Sequence, residues 1–322
     1  MNERTRIGPI EVPDNPVPPG GVFRWLQREG ATRLRYALWH GSVANGTATL
    51  RGSVVIVPGR TEFIEKYFEV ISELIERGFA VAILDVRGQG LSSRALPDRR
   101  KGHVDDFEDY AGDLDAWMTQ VVAPELPPPF TLLAHSMGGN IALRHLQRQG
   151  GVFDRAVLTS PMTGLRFDPL LPSIVEMMVR TGILFLGKHA DLPAGARSDP
   201  LVERFEHNVV TRDRRRFHRT LSLLQSEPKL ALGPPTLGWL DAAMKSVRYV
   251  MMPRNAQSIS VPVLLVSAAH DRIVDIRSHA KLAALLPHCE WLTIDRSEHE
   301  ILIETDDKRA QFWAAFDRFV GL

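Results

Sequence analysis

The sequence predicts an α/β protein with a mostly parallel central sheet flanked by helices and an inserted helical cap. Short apolar, β-branched runs alternate with longer stretches of helical periodicity, which is the pattern of βαβ units. The alternation stops between residues 161 and 258, where helical patterns occur without a convincing strand. Of the 322 residues, 44% are hydrophobic and 24% are charged, so the chain can build a sizeable folded core.

The first elements are an arm and a hairpin. Residues 1–20 are polar and proline-rich, and we expect a loose arm because they lack the apolar stretch of a secretory signal peptide. An antiparallel hairpin is predicted from the patterns of residues 22–27 and 31–39, which a turn at Gly30 joins. Apolar runs predict further strands at residues 54–57, 79–84, 130–134, 156–159, 263–267 and 291–294.

Helical periodicity fills the intervals between the strands. Helices are predicted at residues 62–77, 105–121, 138–149, 277–286 and 305–320, and inside the insertion at 172–186, 199–205, 213–225 and 237–250. In open α/β sheets ligands bind at the carboxyl ends of the strands, and an insertion after residue 160 is placed to cover that edge. We therefore predict a sheet domain (residues 21–160 and 259–322) and a helical cap or lid (161–258).

One motif lies at the junction between a predicted strand and a predicted helix: Ala134-His135-Ser136-Met137-Gly138-Gly139. Small residues at 134 and 138 permit the tight turn that holds an exposed serine, the nucleophile elbow. The N-terminus of the following helix also places positive partial charge where an oxyanion would form. Ser136 is therefore the predicted nucleophile rather than a serine of an ordinary turn.

A serine nucleophile needs a base that removes its proton and an acid that orients the base. In a strand–elbow–helix context the chain order is serine, then acid, then histidine. Asp271 follows the strand at 263–267 and His299 follows the strand at 291–294, so both emerge at strand carboxyl ends, as Ser136 does. The competing acids lie later in a turn or too near the histidine in sequence: Asp275, Asp295 and Glu298.

Backbone N–H groups must stabilise the oxyanion in such a site. Met137 follows the serine directly, and Arg60 is the best candidate in the loop after the strand at 54–57. The same loop also fits an ordinary turn with Glu62 in the first helical turn, and both interpretations are compatible because Arg60 would contribute backbone only. Three further histidines near these motifs are expected to be structural: His103, His135 and His270.

Together these segments resemble the α/β-hydrolase superfamily, and within it the monoacylglycerol lipase and bacterial lysophospholipase branch. The resemblance runs from residue 20 to the C-terminus and rests on Pro58-Gly59-Arg60-Thr61-Glu62, Asp85-Val86-Arg87-Gly88-Gln89-Gly90-Leu91-Ser92, His135-Ser136-Met137-Gly138-Gly139, Asp271 and His299-Glu300. Cap segments 208–213 and 233–239 are also similar to that branch. Pro58 stands where many relatives have histidine, which makes this loop more similar to the lysophospholipases.

The resemblance implies hydrolysis of carboxylic esters of single-chain lipids through an acyl-Ser136 intermediate, without a metal or an organic cofactor. It favours a lysophospholipase over a monoacylglycerol lipase or a general carboxylesterase. It carries the triad roles to Ser136, Asp271 and His299, and the oxyanion roles to Arg60 and Met137. A peptidase, or a non-catalytic module that binds a lipid or a partner, is the alternative of a different class.

The cap offers candidate substrate contacts. Arg214 and Arg215 belong to a run of five arginines at residues 212–219, which would suit a phosphate or an anionic membrane. A solvated helix face is the alternative interpretation of that run. Phe185 lies in an apolar stretch that would line an acyl tunnel, contact a membrane or form the core of the cap.

The composition limits the binding partners and the cellular location that we expect for the protein. Thirty-nine Lys and Arg against 38 Asp and Glu give a formal charge of +1, which provides no global field to hold nucleic acid. The single cysteine, Cys289, excludes an internal disulfide and fits a reducing compartment. We expect a cytoplasmic protein that acts on a small lipid ester, with peripheral contact to the inner face of a membrane left open. The oligomeric state does not follow from the sequence.

Overall fold

A computed structural model describes residues 7–41, 50–148, 151–167, 170–191 and 199–322 of the chain. Its strands are β1 (Val22–Gln27), β2 (Arg33–Trp39), β3 (Ser53–Val57), β4 (Ala80–Leu84), β5 (Phe130–His135), β6 (Arg155–Thr159), β7 (Val263–Ala268) and β8 (Cys289–Ile294). They form one sheet in the order β1-β2-β4-β3-β5-β6-β7-β8. β1 and β2 form the predicted hairpin at one edge, and β3 to β8 run parallel. The predicted, mostly parallel sheet is confirmed.

Alternate side chains of the strands face two separate layers of core. On β3, Val55 packs in the layer that contains Phe107, whereas Val54 packs in the layer that contains Phe316. Because both faces are covered, β3, β4, β5 and β7 are buried along their whole length. This explains why their sequences are continuous apolar runs rather than alternating ones.

The helices are α1 (Phe68–Glu76), α2 (Phe107–Trp117), α3 (Ala123–Glu125), α4 (Met137–Arg148), α5 (Pro172–Leu186), α6 (Arg214–Ser226), α7 (Leu237–Val250), α8 (Pro253–Gln257), α9 (Ile276–Leu285) and α10 (Asp306–Val320). The helix predicted at residues 62–77 starts later, because a 3-10 turn (Ile64–Tyr67) precedes α1. The N–H of Ile64 donates to the buried carboxylate of Asp85 (2.9 Å), which fixes this entry to the helix. A π-helical turn (Met118–Val122) follows α2.

The expectation of a loose N-terminal arm is wrong for residues 7–20, which pack on the sheet domain. Ile10 is completely buried, and its N–H donates to Glu65 Oε1 (3.1 Å). The side-chain amide of Asn15 donates to the carbonyl of Glu65 (2.8 Å), and Arg35 Nε donates to the carbonyl of Ile7 (3.1 Å). The arm is held because the buried Arg35–Glu65 ion pair needs these additional polar partners. Residues 1–6 lie outside the described residues.

The insertion between β6 and β7 contains α5 to α8. α7 packs against α2 and α4, and Trp239 Nε1 donates to the hydroxyl of Tyr110 (3.3 Å). The helix predicted at residues 199–205 is wrong: Asp199 Oδ1 accepts the N–H of Leu201 (3.1 Å), a local bond that favours a turn over a helix. The chain forms a 3-10 turn only later, at Phe205–His207. Among the described residues, no helix is both long and apolar enough to cross a membrane.

Candidate active site

Ser136 occupies the sharp turn between β5 and α4, at the carboxyl ends of the parallel strands. Its backbone φ is 51°, in the left-handed region that non-glycine residues rarely adopt, so the turn is strained. The N–H of Ser136 donates to the carbonyl of Thr159 (3.0 Å), and its own carbonyl accepts the N–H of Met162 (2.9 Å). The segment around the end of β6 therefore holds the strained turn, which has the geometry of a nucleophile elbow.

The glycines after the serine are required by close backbone packing. A Cβ atom at Gly138 would lie 2.1 Å from the carbonyl oxygen of Val57. A Cβ atom at Gly139 would lie 2.6 Å from Cβ of Pro161. Both distances are far inside van der Waals contact, so the predicted need for a small residue at position 138 is confirmed.

Ser136, His299 and Asp271 lie in one hydrogen-bonded chain. His299 Nε2 is 2.8 Å from Ser136 Oγ, and His299 Nδ1 is 2.6 Å from Asp271 Oδ2. Asp271 Oδ1 accepts the N–H groups of Ile273 and Val274, both at 2.8 Å, and these bonds fix the carboxylate. All three side chains are buried. The structure therefore brings together the residues predicted as nucleophile, base and acid.

The competing acids have other partners. Asp275 accepts an N–H in the first turn of α9 (3.1 Å), and Asp295 lies 3.4 Å from the guanidinium of its neighbour in sequence. Glu298 pairs with Arg212 at 3.2 Å. Within the described ranges, none of these three carboxylates is hydrogen-bonded to His299.

Burial and neighbouring charges act in opposite directions on the pKa values of His299 and Asp271. Burial alone would lower the pKa of His299, but Asp271, followed by Glu300 and Glu62, outweighs it and raises this pKa above its ordinary 6.5. Burial alone would raise the pKa of Asp271, but His299 and two backbone N–H donors hold it below its ordinary value. Asp271 is therefore ionised and is placed to stabilise an imidazolium at His299.

The loop after β3, residues 58–62, lies directly against the nucleophile and is called the oxyanion loop below. A Cβ atom at Gly59 would lie 3.2 Å from Cβ of Ser136. The N–H of Gly59 donates to Glu62 Oε2 (2.5 Å), which closes the loop on itself. The guanidinium of Arg60 points into the insertion, where it donates to a backbone carbonyl (2.5 Å). This placement is compatible with the predicted backbone role of Arg60.

His135 lies beside the base without joining the hydrogen-bonded chain. Its ring packs against that of His299, with the ring centroids 4.8 Å apart. His135 Nδ1 lies 3.0 Å from the carbonyl oxygen of Thr159. Burial lowers the pKa of His135 to about 4, so the ring is neutral near pH 7. These contacts fit the structural role expected from the sequence.

A buried polar cluster that sequence patterns do not predict lies next to the site. Lys66 Nζ lies 3.1 Å from Glu62 Oε1 and 2.6 Å from Glu300 Oε1. The hydroxyl of Tyr67 donates to Glu62 Oε2 (2.6 Å). The i,i+4 spacing of Glu62 and Lys66 is the only local signal, and such spacing is typical of exposed helix pairs. Nothing local indicates that Glu300 would join them.

This cluster does not fit a metal site. Glu62, His135 and Glu300 have potential ligand atoms within 4.8 Å of one another. However, the ammonium of Lys66 binds both carboxylates, so its positive charge already compensates theirs. A divalent ion would have to displace the buried ammonium of Lys66 from both carboxylates.

The arginines singled out in the cap pair with carboxylates. Arg214 lies 3.0 Å from Glu206, and Arg215 lies 4.0 Å from Glu69. The neighbouring Arg216 is buried and binds Glu69 at 2.6 Å. The pairs with Glu69 dock α6 on the sheet domain, whereas Arg214 pairs within the insertion, in line with the helix-face interpretation. In the part of the chain that the structure describes, Arg214 and Arg215 make no hydrogen bond or ion pair to the Ser136 site.

Phe185 lies on α5, and 78% of its surface is exposed to solvent, so it is not part of a buried core. It lines a surface groove of about 480 Å³ together with Met177, Met178, Thr181, Gly182 and Leu186. The alternative that this apolar stretch forms the core of the cap is therefore wrong for Phe185. Substrate binding by Arg214, Arg215 and Phe185 stays a prediction.

Comparisons with known proteins give matches over most of the chain. The model of the family described as serine aminopeptidase, S33, matches residues 48–306. Lysophospholipase L2 of Escherichia coli (strain K12) is 35% identical over 264 residues, which cover 80% of this chain and 76% of that protein. Probable lysophospholipase L2 of Haemophilus influenzae is 29% identical over 85% of each chain. The structure of a soluble variant of monoglyceride lipase from Saccharomyces cerevisiae superposes with a TM-score of 0.73, at 20% identity and 97% coverage of both chains.

Proposed function

We infer that this chain, which belongs to the α/β-hydrolase family described as serine aminopeptidase, S33, is a serine hydrolase that cleaves carboxylic esters of single-chain lipids. A lysophospholipase is the best-supported activity, because both curated relatives described above carry that name. The observation that carries the proposal is the hydrogen-bonded chain from Ser136 Oγ through His299 to Asp271. Monoacylglycerol hydrolysis is the alternative, favoured by the structural likeness to a monoglyceride lipase.

In the proposed reaction, His299 Nε2 takes the proton of Ser136 Oγ as this oxygen attacks the ester carbonyl carbon. The backbone N–H groups of Arg60 and Met137 stabilise the oxyanion that forms. The ester C–O bond then breaks, and His299 gives its proton to the leaving alcohol oxygen. A water molecule, deprotonated by His299, then attacks the acyl-Ser136. The bond between Ser136 Oγ and the acyl carbon breaks, His299 returns the proton to Ser136 Oγ, and the fatty acid is released. Asp271 stays ionised and stabilises the imidazolium in both steps.

The insertion, residues 161–258, is proposed to act as a lid over this site. The carbonyl of Val210 accepts the N–H of Glu300 (2.8 Å), one residue after the base. The hydroxyl of Thr211 donates to the carbonyl of Ile303 (2.7 Å). The insertion therefore contacts the loop that carries His299, which supports a covering position at the carboxyl edge of the sheet.

A basic pocket beside the triad loops supports a phosphate-bearing headgroup. The pocket holds about 480 Å³ and is lined by Arg166, Ala269, His270, Arg272 and Glu298. His270 and Arg272 flank Asp271 in the chain, and Glu298, which lies 3.4 Å from Arg272, precedes His299. Arg166 comes from the segment after β6 and donates to the carbonyl of Asp271 (3.0 Å). Arginine side chains suit phosphate oxygens, because the guanidinium presents several N–H donors in one plane. This chemistry favours a lysophospholipid over an uncharged monoacylglycerol.

An exposed apolar face on α5 is proposed to contact a lipid surface. Leu184 and Phe185 are 79% and 78% exposed, and exposed apolar patches of this kind mark interaction sites. Two basic residues lie next to this face in the chain: Arg180, which pairs with Glu176 at 2.6 Å, and Lys188, which pairs with Asp105 at 2.5 Å. Basic residues beside an apolar face suit an anionic leaflet. A cytoplasmic location, with contact to the inner face of a membrane, stays a prediction.

One panel of substrates tests the activity. Lysophospholipids and monoacylglycerols with matched acyl chains are offered to the wild type and to Ser136→Ala, and fatty acid release is measured. We expect the wild type to hydrolyse both, with the higher kcat/KM on lysophospholipids. A higher kcat/KM on monoacylglycerols would favour the alternative, and no release from any ester would contradict the proposal.

The family description makes a peptidase the second candidate. Aminoacyl-nitroanilides and p-nitrophenyl esters separate the two activities, since both use an acyl-serine and differ in the leaving group. We expect hydrolysis of the esters only. A higher kcat/KM on the nitroanilides would show that the chain is a peptidase instead.

A further inference from the structure

Lys66 joins two loops that come from distant parts of the chain. One is the oxyanion loop, residues 58–62, and the other is the loop after β8, residues 295–300, called the histidine loop here. Lys66 Nζ lies 3.1 Å from Glu62 Oε1 and 2.6 Å from Glu300 Oε1. One ammonium therefore binds a carboxylate at the end of each loop.

On the first side, Glu62 controls the shape of the oxyanion loop. Its Oε2 accepts the N–H of Gly59 (2.5 Å) and the hydroxyl of Tyr67 (2.6 Å). Gly59 is in close contact with the nucleophile, because a Cβ there would lie only 3.2 Å from Cβ of Ser136. A rotation of the Glu62 carboxylate would therefore move Gly59, and with it the adjoining peptide between Gly59 and Arg60, relative to Ser136.

On the second side, Glu300 directly follows the base. Its N–H donates to the carbonyl of Val210 in the insertion (2.8 Å), and its side chain binds Lys66. Glu300 is thus held from both sides, and His299 precedes it without an intervening residue. The position of Lys66 is transmitted to His299 through one ion pair and one peptide unit.

The ion pairs are buried and charged. Lys66 is 8% exposed, Glu62 3% and Glu300 6%. Burial alone would lower the pKa of Lys66, but Glu300 and Glu62 outweigh it and raise this pKa, so the ammonium stays charged. Buried ion pairs add little net stability compared with apolar side chains of similar volume. What the ion pairs provide instead is a fixed geometry of the side chains that they join, and a reaction at the neighbouring site depends on such geometry.

We propose that Lys66 is a positioning residue of the ester hydrolysis: through Glu62 and Glu300 it holds the oxyanion loop and the histidine loop at the separation that the reaction needs. The inference rests on the proposed function. Lys66 itself touches neither Ser136 nor the substrate carbonyl in this account. It acts on kcat through the placement of the Gly59–Arg60 peptide and of His299.

The first test is Lys66→Met assayed on a soluble p-nitrophenyl ester. A displacement of reacting groups by about 1 Å costs on the order of 10²-fold in rate, so kcat should fall about 100-fold. KM should stay unchanged, because no group that binds the acyl chain is altered. Arg144→Met is the matched control: Arg144 is also 8% exposed and pairs with Glu108, away from both loops. This control should keep the kcat of the wild type.

The second test separates positioning from a loss of folding. In the triple variant Lys66→Met/Glu62→Gln/Glu300→Gln the buried charges are removed together, so no carboxylate is left uncompensated. If Lys66 acts through the two glutamates, Lys66→Met should lower kcat far less in the Glu62→Gln/Glu300→Gln background than in the wild type.

The pH profile gives a readout that a purely structural role would not move. His299 is faced by Asp271, Glu300, Glu62, the neutral His135 and, from α9, His279, and the negative charges among them raise its pKa. Glu300→Gln should therefore shift the acid limb of kcat/KM to lower pH.

Wild-type kcat in folded Lys66→Met, an equal loss in Arg144→Met, or additive losses in the triple variant would overturn the inference. Absence of ester hydrolysis by the wild type would instead overturn the proposed function.

Discussion

His299 Nε2 lies 2.8 Å from Ser136 Oγ, although 163 positions separate the two residues in the chain. They meet because β5 and β8 belong to the parallel part of one sheet and end at the same edge. The insertion lies between them in sequence, so neither half of the sheet domain contains a complete site. The proposed chemistry therefore depends on the sheet as a whole.

Removal of the nucleophile should abolish turnover and leave the fold intact. Ser136→Ala should lower kcat by about 10⁴ to 10⁶, the range seen when a triad serine is removed. Because alanine carries the same Cβ, the strained φ stays, and the variant should unfold at nearly the temperature of the wild type. Thermal unfolding and ester hydrolysis measure both effects. Retention of near-wild-type hydrolysis by a folded variant would contradict the assignment.

The pH dependence of kcat/KM should report the pKa of His299. Protonated His299 cannot accept a proton, and its pKa is raised above 6.5, so kcat/KM should fall as the pH is lowered through a value above 6.5. Asp271→Asn removes the largest contribution that raises this pKa. The acid limb should then move to lower pH while the rate at neutral pH drops by about 10⁴. An acid limb that stays in place would contradict this role of Asp271.

The docking of α6 on the sheet domain should depend on Arg216 much more than on Arg214. Arg216 is 3% exposed and binds Glu69 and Asp306 at 2.6 Å, so Arg216→Ala should cost about 1.5–3 kcal/mol of unfolding free energy. Arg214→Ala is the matched control on the same helix and should change little, because its pair with Glu206 is exposed.

The same ion pairs should make the unfolding free energy of the protein decrease at acidic pH. Burial alone would raise the pKa of Glu69, but Arg216 and Arg309 lower it to about 2. The stabilisation is present above the ordinary pKa of about 4.5 and is lost as the pH falls towards 2. Arg216→Ala should weaken this dependence between pH 5 and pH 2 in denaturant unfolding. An unchanged pH dependence would show that Arg216 is not the partner that matters.

The preference for a substrate headgroup should depend either on the basic pocket lined by Arg272 or on Arg214 and Arg215 of α6. Charge reversal distinguishes these two possibilities. Arg272→Glu should reduce kcat/KM on lysophospholipids and leave monoacylglycerols unaffected, because only the former carries a phosphate. The double variant Arg214→Glu/Arg215→Glu tests the alternative on α6. A preference lost only in the double variant would move headgroup binding to the cap.

Membrane contact should depend on the apolar face of α5. Leu184→Ser/Phe185→Ser should weaken binding to vesicles with anionic lipid in a sedimentation assay and leave hydrolysis of a soluble ester unchanged. The wild type itself should bind wholly neutral vesicles more weakly, because Arg180 and Lys188 contribute less there. Equal vesicle binding by wild type and variant would exclude this face as the contact.

Local sequence patterns predicted most of the sheet and the triad. The strand at 130–134 and the glycine at 138 are fixed by near neighbours, since burial on both faces needs a continuous apolar run and the elbow needs a residue without Cβ. Chain order, together with the position directly after the strand at 263–267, then selected Asp271 over three other acids. These features repeat in any chain that builds this site, and the sequence therefore indicates them.

Other features depend on contacts that no local pattern records. Lys66 and Glu300 are 234 positions apart, and each looks like an ordinary surface residue in sequence. The arm is polar and proline-rich, yet the buried Arg35–Glu65 pair holds it. Residues 199–205 have helical periodicity, but the side chain of Asp199 captures a backbone N–H and forms a turn.

Covalent labelling tests the central claim most directly. A fluorophosphonate reacts with an activated serine, so intact mass spectrometry of the treated wild type should show one adduct per chain, and peptide mapping should place it on Ser136. Ser136→Ala should stay unlabelled, and Asp271→Asn should label more slowly. A folded wild type that takes up no label, or an adduct on another serine, would contradict the proposal that Ser136 is the nucleophile.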